Sequence, residues 1–258
     1  MSRHQSTVVV MTGSTQRILT IVAAVAVVVL LAAGVMFSQD GGDEGSADAG
    51  SSAQSSGGGG KSADEGGASE EEIGLVRRDA DDVTAMGDVD APVVLIEYSD
   101  YRCPFCGSFA RDTMPELKEE YIDTGKLRFE WRDFPVFGEE SMEGALAARA
   151  AGEQGKYWEY HDAVYEDAPE RGHLKITKKK IMDWAKEVGV EDMKKFEKDL
   201  DDPRLRKKVE ADAQEAATQV KATGTPTFVL GDQRMVGAQP TKAFKDLIDE
   251  ELEQVEGQ

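Results

Sequence analysis

The chain has 258 residues, with 30 basic and 50 acidic side chains and a net charge of −20. Such an acidic surface is a poor match for nucleic acid, whose phosphates recruit Lys and Arg. Only two cysteines are present, Cys103 and Cys106, and together with His161 and His173 they fit no common zinc-ligand spacing, so no metal is expected.

Residues 1–17 are short and carry Arg3 and Arg17. Residues 18–37, ILTIVAAVAVVVLLAAGVMF, are twenty residues without a charge. A helix of that length spans about 30 Å, the hydrocarbon thickness of a bilayer. The arginines before it, and the acidic residues after it, place the N-terminus inside and the rest of the chain outside the cytoplasm. A cleaved signal peptide is the rival reading, but its apolar region runs to only about 7–15 residues. Residues 38–72 are rich in Gly, Ser, Asp and Glu and are expected to form a disordered tether. Residues 73–258 hold 27 of the basic and 41 of the acidic side chains, a net charge of about −14. They suffice for one domain with its own core.

Within that domain, VVLIEYS at 93–99 is a short β-branched run typical of a buried strand. A helical stretch follows from Cys103 to about Tyr121. Pro104 suits its first position, and Pro115 is expected to kink or break it. KLRFEW at 126–131 alternates apolar and polar residues and predicts a second strand. Residues 139–221 read as helical throughout. Within them, Thr177 caps one helix that ends at Gly189, and another starts at Pro203 and ends at Gly224. TFVLG and QRMVG, at 227–231 and 233–237, predict two short strands joined by a Gly-Asp turn. A last helix from Thr241 to about Leu252 is expected to use Thr241 as its cap. The order predicts an α/β domain: a small mixed sheet with helices on its faces and a helical insertion.

YRCPFCGSFA, residues 101–110, holds both thiols. A disulfide across so short a loop removes little entropy from the unfolded chain, so a structural staple is a weak reading. A reactive dithiol fits better. Cys103 at a helix start faces unpaired amides and the positive end of the helix dipole, which favour a thiolate. Arg102 adds a nearby cation. An exposed Cys103 of low pKa can attack or be attacked, and Cys106, one turn on, can resolve the mixed disulfide.

VVLIEYSDYRCPFCGSF resembles the active-site segment of the DsbA-like thiol–disulfide oxidoreductases, a thioredoxin-fold family, and GTPTFVL with VGAQP resembles its second signature. KYWEYHDAVYED also resembles a helix of that family's insertion. The resemblance covers residues 83–252. It implies a thioredoxin-like fold with a central mixed sheet and an inserted helical subdomain, here preceded by one transmembrane helix. It also implies that Cys103 is the nucleophile and Cys106 the resolving cysteine. The resemblance further implies that Pro226 is a cis-proline and that Thr225 before it offers its backbone to an extended peptide. Glu97, six residues before Cys103, lies beneath the site and moves the proton of the second cysteine.

Asp100 is expected to shape the turn into the helix. His161 is read as a core or interface residue, and Tyr98, Tyr101, Phe105 and Phe109 as apolar surroundings or core. No cofactor beyond the Cys103–Cys106 disulfide is expected. The implied partners are exported, unfolded polypeptides with free cysteines and a quinone-linked membrane protein that restores the disulfide. A monomer is expected, since no dimerisation segment is visible. Phe105 departs from the histidine found between the cysteines of the strongest oxidants of the family, which keeps a reductase or an isomerase open. A non-catalytic peptide-binding module with a structural CxxC is the reading from another class.

Overall fold

The computed structural model describes residues 74–257. The apolar span at 18–37 and the tether at 38–72 lie outside the described residues. Among the described residues no helix is long and apolar enough to cross a membrane.

Five strands form one mixed sheet. They are β1 (Ala85–Met86), β2 (Val93–Ser99), β3 (Leu127–Asp133), β4 (Thr227–Leu230) and β5 (Gln233–Val236), in the order β1-β3-β2-β4-β5. β2 runs parallel to β3 and antiparallel to β4, and the edge strands β1 and β5 pair antiparallel to β3 and β4. β2 is central and covered on both faces, so all seven of its residues are buried. Its side chains alternate. Val93, Leu95, Glu97 and Ser99 point to one face, and Val94, Ile96 and Tyr98 to the other. The first face carries the main core, with Phe129, Trp131, Phe109, Phe228 and Phe244; the second carries a smaller cluster with Ala216 and Val220.

Helix α1 (Pro104–Ser108) begins directly after the β2 turn and leads through the π-helical residues Phe109–Thr113 into α2 (Met114–Leu117), then into a second π-helical segment, Lys118–Ile122. Of the kink or break expected at Pro115, the break does not occur, and the irregularity there is a π-helical turn. Pro115 has no N–H to give, and the turn before it widens so that the Met114 amide reaches back five residues to the Phe109 carbonyl.

The insertion is helical throughout: α3 (Glu139–Gly152), α4 (Tyr157–Glu166), α5 (Lys178–Glu187), α6 (Met193–Asp199) and α7 (Pro203–Glu215), which widens into π-helical Ala216–Val220. Thr177 caps α5 through its side chain, as expected, and Asp202 caps α7 ahead of Pro203. The last of these helices stops before Gly224, with Lys221 left-handed at φ 53 and the Ala222 amide bonded to the Ala216 carbonyl. Helix α8 (Thr241–Glu256) closes the chain. Thr241 is its first helical residue, not its cap, because its hydroxyl is hydrogen-bonded to Thr113 across 3.0 Å.

Two features escaped the sequence reading. β1 is only two residues long, below any recognisable periodicity, yet the Trp131 amide bonds to the Thr84 carbonyl beside it. Gly87, at φ +89, permits this approach, since a Cβ there would come within 2.5 Å of the Leu127 carbonyl oxygen. The polar residues of β3 are also buried, not solvated. Arg128, Glu130 and Arg132 lie under α7 and the segment at 75–79, where the Arg77 and Arg78 amides both bond to the Glu130 carboxylate.

Candidate active site

Cys103 is the N-cap of α1. Pro104 follows it, and a residue before proline is held extended, here at φ −76 and ψ 121. The chain therefore turns sharply at Cys103, and its sulfur stays at the helix start. Both cysteines are free thiols. On the other side of the site the Thr225–Pro226 peptide is cis, and the Cys103 thiol donates to the Thr225 carbonyl at 3.3 Å. The Gly237 amide holds the Pro226 carbonyl at 2.8 Å, which ties this loop to the end of β5. Two segments 122 residues apart thus meet at one sulfur.

The two sulfurs have opposite environments. The Cys103 thiol is brought down to about 6, first because the Cys106 thiol donates to its thiolate; Thr225 and the amides of Cys106 and Phe105 add to this, while burial opposes it. Cys106 is pushed well above the ordinary thiol range by burial, then by the negative charge of Cys103 and of Glu97. Glu97 lies on the β2 face below them. Burial raises its carboxyl to about 8, the Cys103 charge adds to this, and the Ser99 hydroxyl works against it. Its Oε1 has no hydrogen-bond partner. A carboxyl that holds a proton near neutral pH, close to a thiol that resists ionisation, can exchange a proton with that thiol.

Phe105, between the cysteines, is 62% exposed and offers an apolar surface beside the site. Residues 79–250 match the family model described as thioredoxin. The probable disulfide bond formation protein D of Bacillus cereus is 33% identical over 172 residues, which cover 65% of this chain and 78% of that protein. Disulfide bond formation protein D of Bacillus subtilis is 26% identical over 169 residues, 65% of this chain and 76% of that one. The crystal structure of oxidised BdbD from Bacillus subtilis matches with a TM-score of 0.61 and 26% identity, over 66% of this chain and 92% of that chain. The chain belongs to the DsbA-like thioredoxin family. It is a thiol–disulfide oxidoreductase.

Three expectations change once this DsbA-like site is seen in place. Cys103 is 2% exposed, not open to solvent, and its sulfur lies 3.3 Å from the Thr225 carbonyl. Arg102 does not stand by the thiolate. Its guanidinium reaches the carbonyls of Leu174 (2.8 Å) and Phe137 and lies 3.7 Å from Glu140, which fastens the α1 start to the insertion. Thr225 contributes its side chain as well as its backbone. The buried Thr225 hydroxyl has no partner in this thiol form, and it is among the groups that favour the Cys103 thiolate.

Asp100 does shape the turn. It accepts the Arg102 amide at 2.8 Å and the amides of Val136 and Phe137 at 2.7 and 3.2 Å. His161 is buried among Tyr101, Trp131, Trp158 and Tyr165, with Nδ1 on Asp162 at 2.8 Å. Tyr98 points to the opposite face, where its hydroxyl donates to Glu215 at 2.7 Å. Tyr101 and Phe109 are core.

Two residues near the site were not singled out from the sequence. Ser99 and Tyr165 fall inside segments that carry the resemblance, but nothing there marks either hydroxyl, and only the fold brings the two, 66 residues apart, to 3.3 Å.

The split between the sulfurs has a direct readout. Alkylation of the reduced DsbA-like chain by iodoacetamide is expected to follow one inflection near pH 6, from Cys103, with Cys106 unreactive below about pH 9. A single inflection in the ordinary range, about 8.5, would contradict this arrangement.

Proposed function

We propose that the chain donates its Cys103–Cys106 disulfide to exported polypeptides as they fold, outside the cytoplasmic membrane. A substrate thiolate attacks the Cys103 sulfur, and Cys106 leaves with the electron pair and takes a proton from Glu97. A second substrate thiolate then displaces Cys103, so that two substrate thiols are oxidised and the enzyme is left as the dithiol. Thr225 and Pro226 present the backbone edge on which an extended substrate lies. Phe105, with Pro104 behind it, gives the apolar surface beside the reacting sulfur. The apolar span at 18–37 anchors the chain with its N-terminus inside, and the acidic tether lets a monomeric catalytic domain reach its substrates. No third cysteine exists to restore the disulfide. A membrane protein that passes electrons to a quinone is therefore the proposed reoxidising partner, and no cofactor other than the dithiol is needed.

The observation that carries this reading is the place of Cys103 at the N-cap of α1, its thiol 3.3 Å from the Thr225 carbonyl and beside Cys106, a setting that lowers its pKa. Stabilising the thiolate stabilises the reduced enzyme and makes its disulfide a better oxidant. A thiol with a pKa of about 6 gains about 1.4 kcal/mol at pH 7 over an ordinary one, equal to about 30 mV for a two-electron couple. The gain is smaller than in DsbA itself, whose reactive thiol lies near 3.5. Phe105 has no ring nitrogen to add a further hydrogen bond.

The reduction potential, measured by equilibration with glutathione, is accordingly expected between DsbA at about −120 mV and thioredoxin at about −270 mV. Structural disulfides of secreted proteins fall below about −300 mV, so transfer to such substrates remains downhill across this range. A value at or below −270 mV would reverse the assignment to a reductase of extracytoplasmic thiols, the reading that Phe105 favours.

A further inference from the structure

A cavity of about 540 Å³ lies between the helical stretch that continues from α1 and helix α4 of the insertion. One wall comes from the π-helical turn and α2, through Ala110 and Met114. The other comes from α4, through Trp158, His161 and Tyr165, and Met86 of β1 completes the lining. Cys103, Cys106, Glu97, Thr225 and Pro226 are not part of it. Pockets for small molecules run from about 300 to about 1,000 Å³, so this one has room for a ligand.

The walls are held apart by contacts within the protein. The Trp158 indole donates to the Ala85 carbonyl at 3.2 Å, and the Arg111 guanidinium donates to the Tyr165 carbonyl. The Tyr165 ring is wedged against α1, where a Cβ on Gly107 would come within 3.3 Å of its Cδ1. The π-helical turn widens the backbone at Ala110 and Arg111, and such turns recur at functional sites.

The deepest polar group of the cavity is His161. It is only 3% exposed, and the rings of Tyr101, Trp131, Trp158 and Tyr165 surround it with centres 4.9 to 5.9 Å away. Nδ1 lies 2.8 Å from a carboxylate oxygen of Asp162. A carboxylate only accepts, so Nδ1 carries the hydrogen, and in the uncharged ring Nε2 is a bare acceptor. Nε2 has no hydrogen-bond partner among the described residues. Nor is it sealed in the core, as the partnerless Glu97 Oε1 is. With aromatic rings around the imidazole, the space that Nε2 reaches is the cavity that His161 lines.

These surroundings select a ligand. A water on Nε2 would meet thioether and ring surfaces on its other sides, whereas a buried water takes about two to four polar partners. A molecule that brings a hydroxyl to Nε2 and apolar surface to Met86, Met114, Trp158 and Tyr165 displaces that water with a gain in affinity. The ring-lined wall favours a flat aromatic system. At the mouth, Arg111 and Lys118 stand against Asp162 and Glu166, so the charges balance and no net field draws in an ion.

We propose that this cavity binds a small, neutral, hydroxylated aromatic molecule, whose hydroxyl donates to His161 Nε2. His161 orients the ligand, and Asp162 fixes the tautomer of His161. The site is separate from the dithiol, and its occupation involves no redox step.

The probe is 2-naphthol, and 2-methoxynaphthalene, with the same rings but no hydrogen to give, is its control. Each is titrated at pH 8 into the reduced full chain in detergent micelles, labelled with nitrogen-15 at histidine and tryptophan. The side-chain signal of Trp158 reports occupancy, and that of His161 reports the hydrogen bond. In the free chain the His161 hydrogen is expected on Nδ1. Binding of 2-naphthol should shift His161 Nε2 and leave His4 and His173 unmoved. A neutral hydrogen bond corresponds to about a fivefold difference in affinity, so 2-methoxynaphthalene should bind about fivefold more weakly.

Partition of each probe into micelles is the same for every variant, so the ratio of the two affinities is compared between chains. In His161→Phe the fivefold preference should vanish while both probes still bind. Ala110→Phe, which keeps His161 and fills the cavity from the opposite wall, should abolish the binding of both; it places the site even where His161→Phe does not fold, with peptide thiol oxidation as the check on its own folding. Equal affinities in the unaltered chain, a preference that survives in His161→Phe, or binding that survives in Ala110→Phe would overturn the proposal. So would a hydrogen on Nε2 of the free chain, tighter binding of 2-naphthoate than of 2-naphthol, or no shift at His161 up to the solubility limit of 2-naphthol.

Discussion

Replacing Cys106 is expected to stop turnover and trap the chain on its substrate. With Cys106→Ser the Cys103 thiolate still attacks a substrate disulfide, but nothing resolves the mixed disulfide, which should accumulate as a covalent adduct removed by reductant. Cys103→Ser should form no adduct. A Cys106→Ser chain that yields no adduct would point instead to a peptide-binding module without exchange chemistry.

The same substitution has a second consequence. The hydrogen bond from the Cys106 thiol is the largest influence that lowers Cys103. Cys106→Ala removes that donor, whereas Cys106→Ser keeps a hydroxyl in its place. A rise of one to two in the Cys103 pKa would leave about a half to a tenth of it as thiolate at pH 7. Adduct formation at pH 7 should therefore be slower in Cys106→Ala than in Cys106→Ser, and the two should converge at pH 9. Equal rates at pH 7, with alkylation still inflecting near 6 in both, would mean that the helix-start amides and Thr225 hold the thiolate without Cys106.

The reactive centre was legible because its signals are local. A β-branched run, a proline after the first cysteine and a three-residue spacing fix the strand, the helix start and the meeting of the sulfurs. The second half of the site, Thr225 and Pro226, was legible only through resemblance, since a Thr-Pro pair before a strand has no local mark of its partner 122 residues away. Arg102 misled because adjacency in sequence is not adjacency in space. An extended N-cap at Cys103 sends the preceding side chain toward the insertion, where carbonyl groups claim it. Ser99 and Tyr165 were silent because neither hydroxyl has meaning without the other.

The alternation in KLRFEW gave the strand but misled about its polar face. Solvent is the default partner of Arg and Glu, and the groups that replace solvent here come from distant parts of the chain. Arg128 and Arg132 bind Glu130 at 2.8 and 2.6 Å, Arg149 joins Asp133 to Asp212, and Arg77 reaches Asp212 at 2.7 Å and Glu215 at 3.0 Å. These ions link the sheet, α3, α7 and the segment at the start of the described chain.

Removing one ion from such a network leaves its partners buried and unpaired, at a cost of about 3–5 kcal/mol. Arg149→Ala is expected to show this, because Asp133 then loses its ion-pair partner and faces Asp212, which keeps only the half-buried Arg77. Asp212 is already raised by burial against the pull of Arg149. At about 2–4 °C per kcal/mol for a domain of this size, Tm should fall by on the order of 10 °C at pH 7. If the loss comes from stranded charge, Asp212→Leu added to Arg149→Ala should recover part of it. If it comes from lost packing, the double variant should be less stable still.

The network also sets the acid limb of stability. Burial opposes ionisation of Glu130, but Arg128, Arg132 and the Arg77 amide more than offset it and bring the group to about 2. A carboxyl lowered in the folded state contributes stability above its unfolded value near 4.5 and loses it as pH falls toward 2, here about 3 kcal/mol in all. Glu130→Gln should flatten the fall in stability between about pH 4.5 and 2 while lowering stability at pH 7. A denaturant titration at pH 7, 4.5 and 3 separates the outcomes: an unchanged acid slope in Glu130→Gln would place the acid sensitivity on other carboxylates and leave Glu130 as a group whose ionisation the fold does not use.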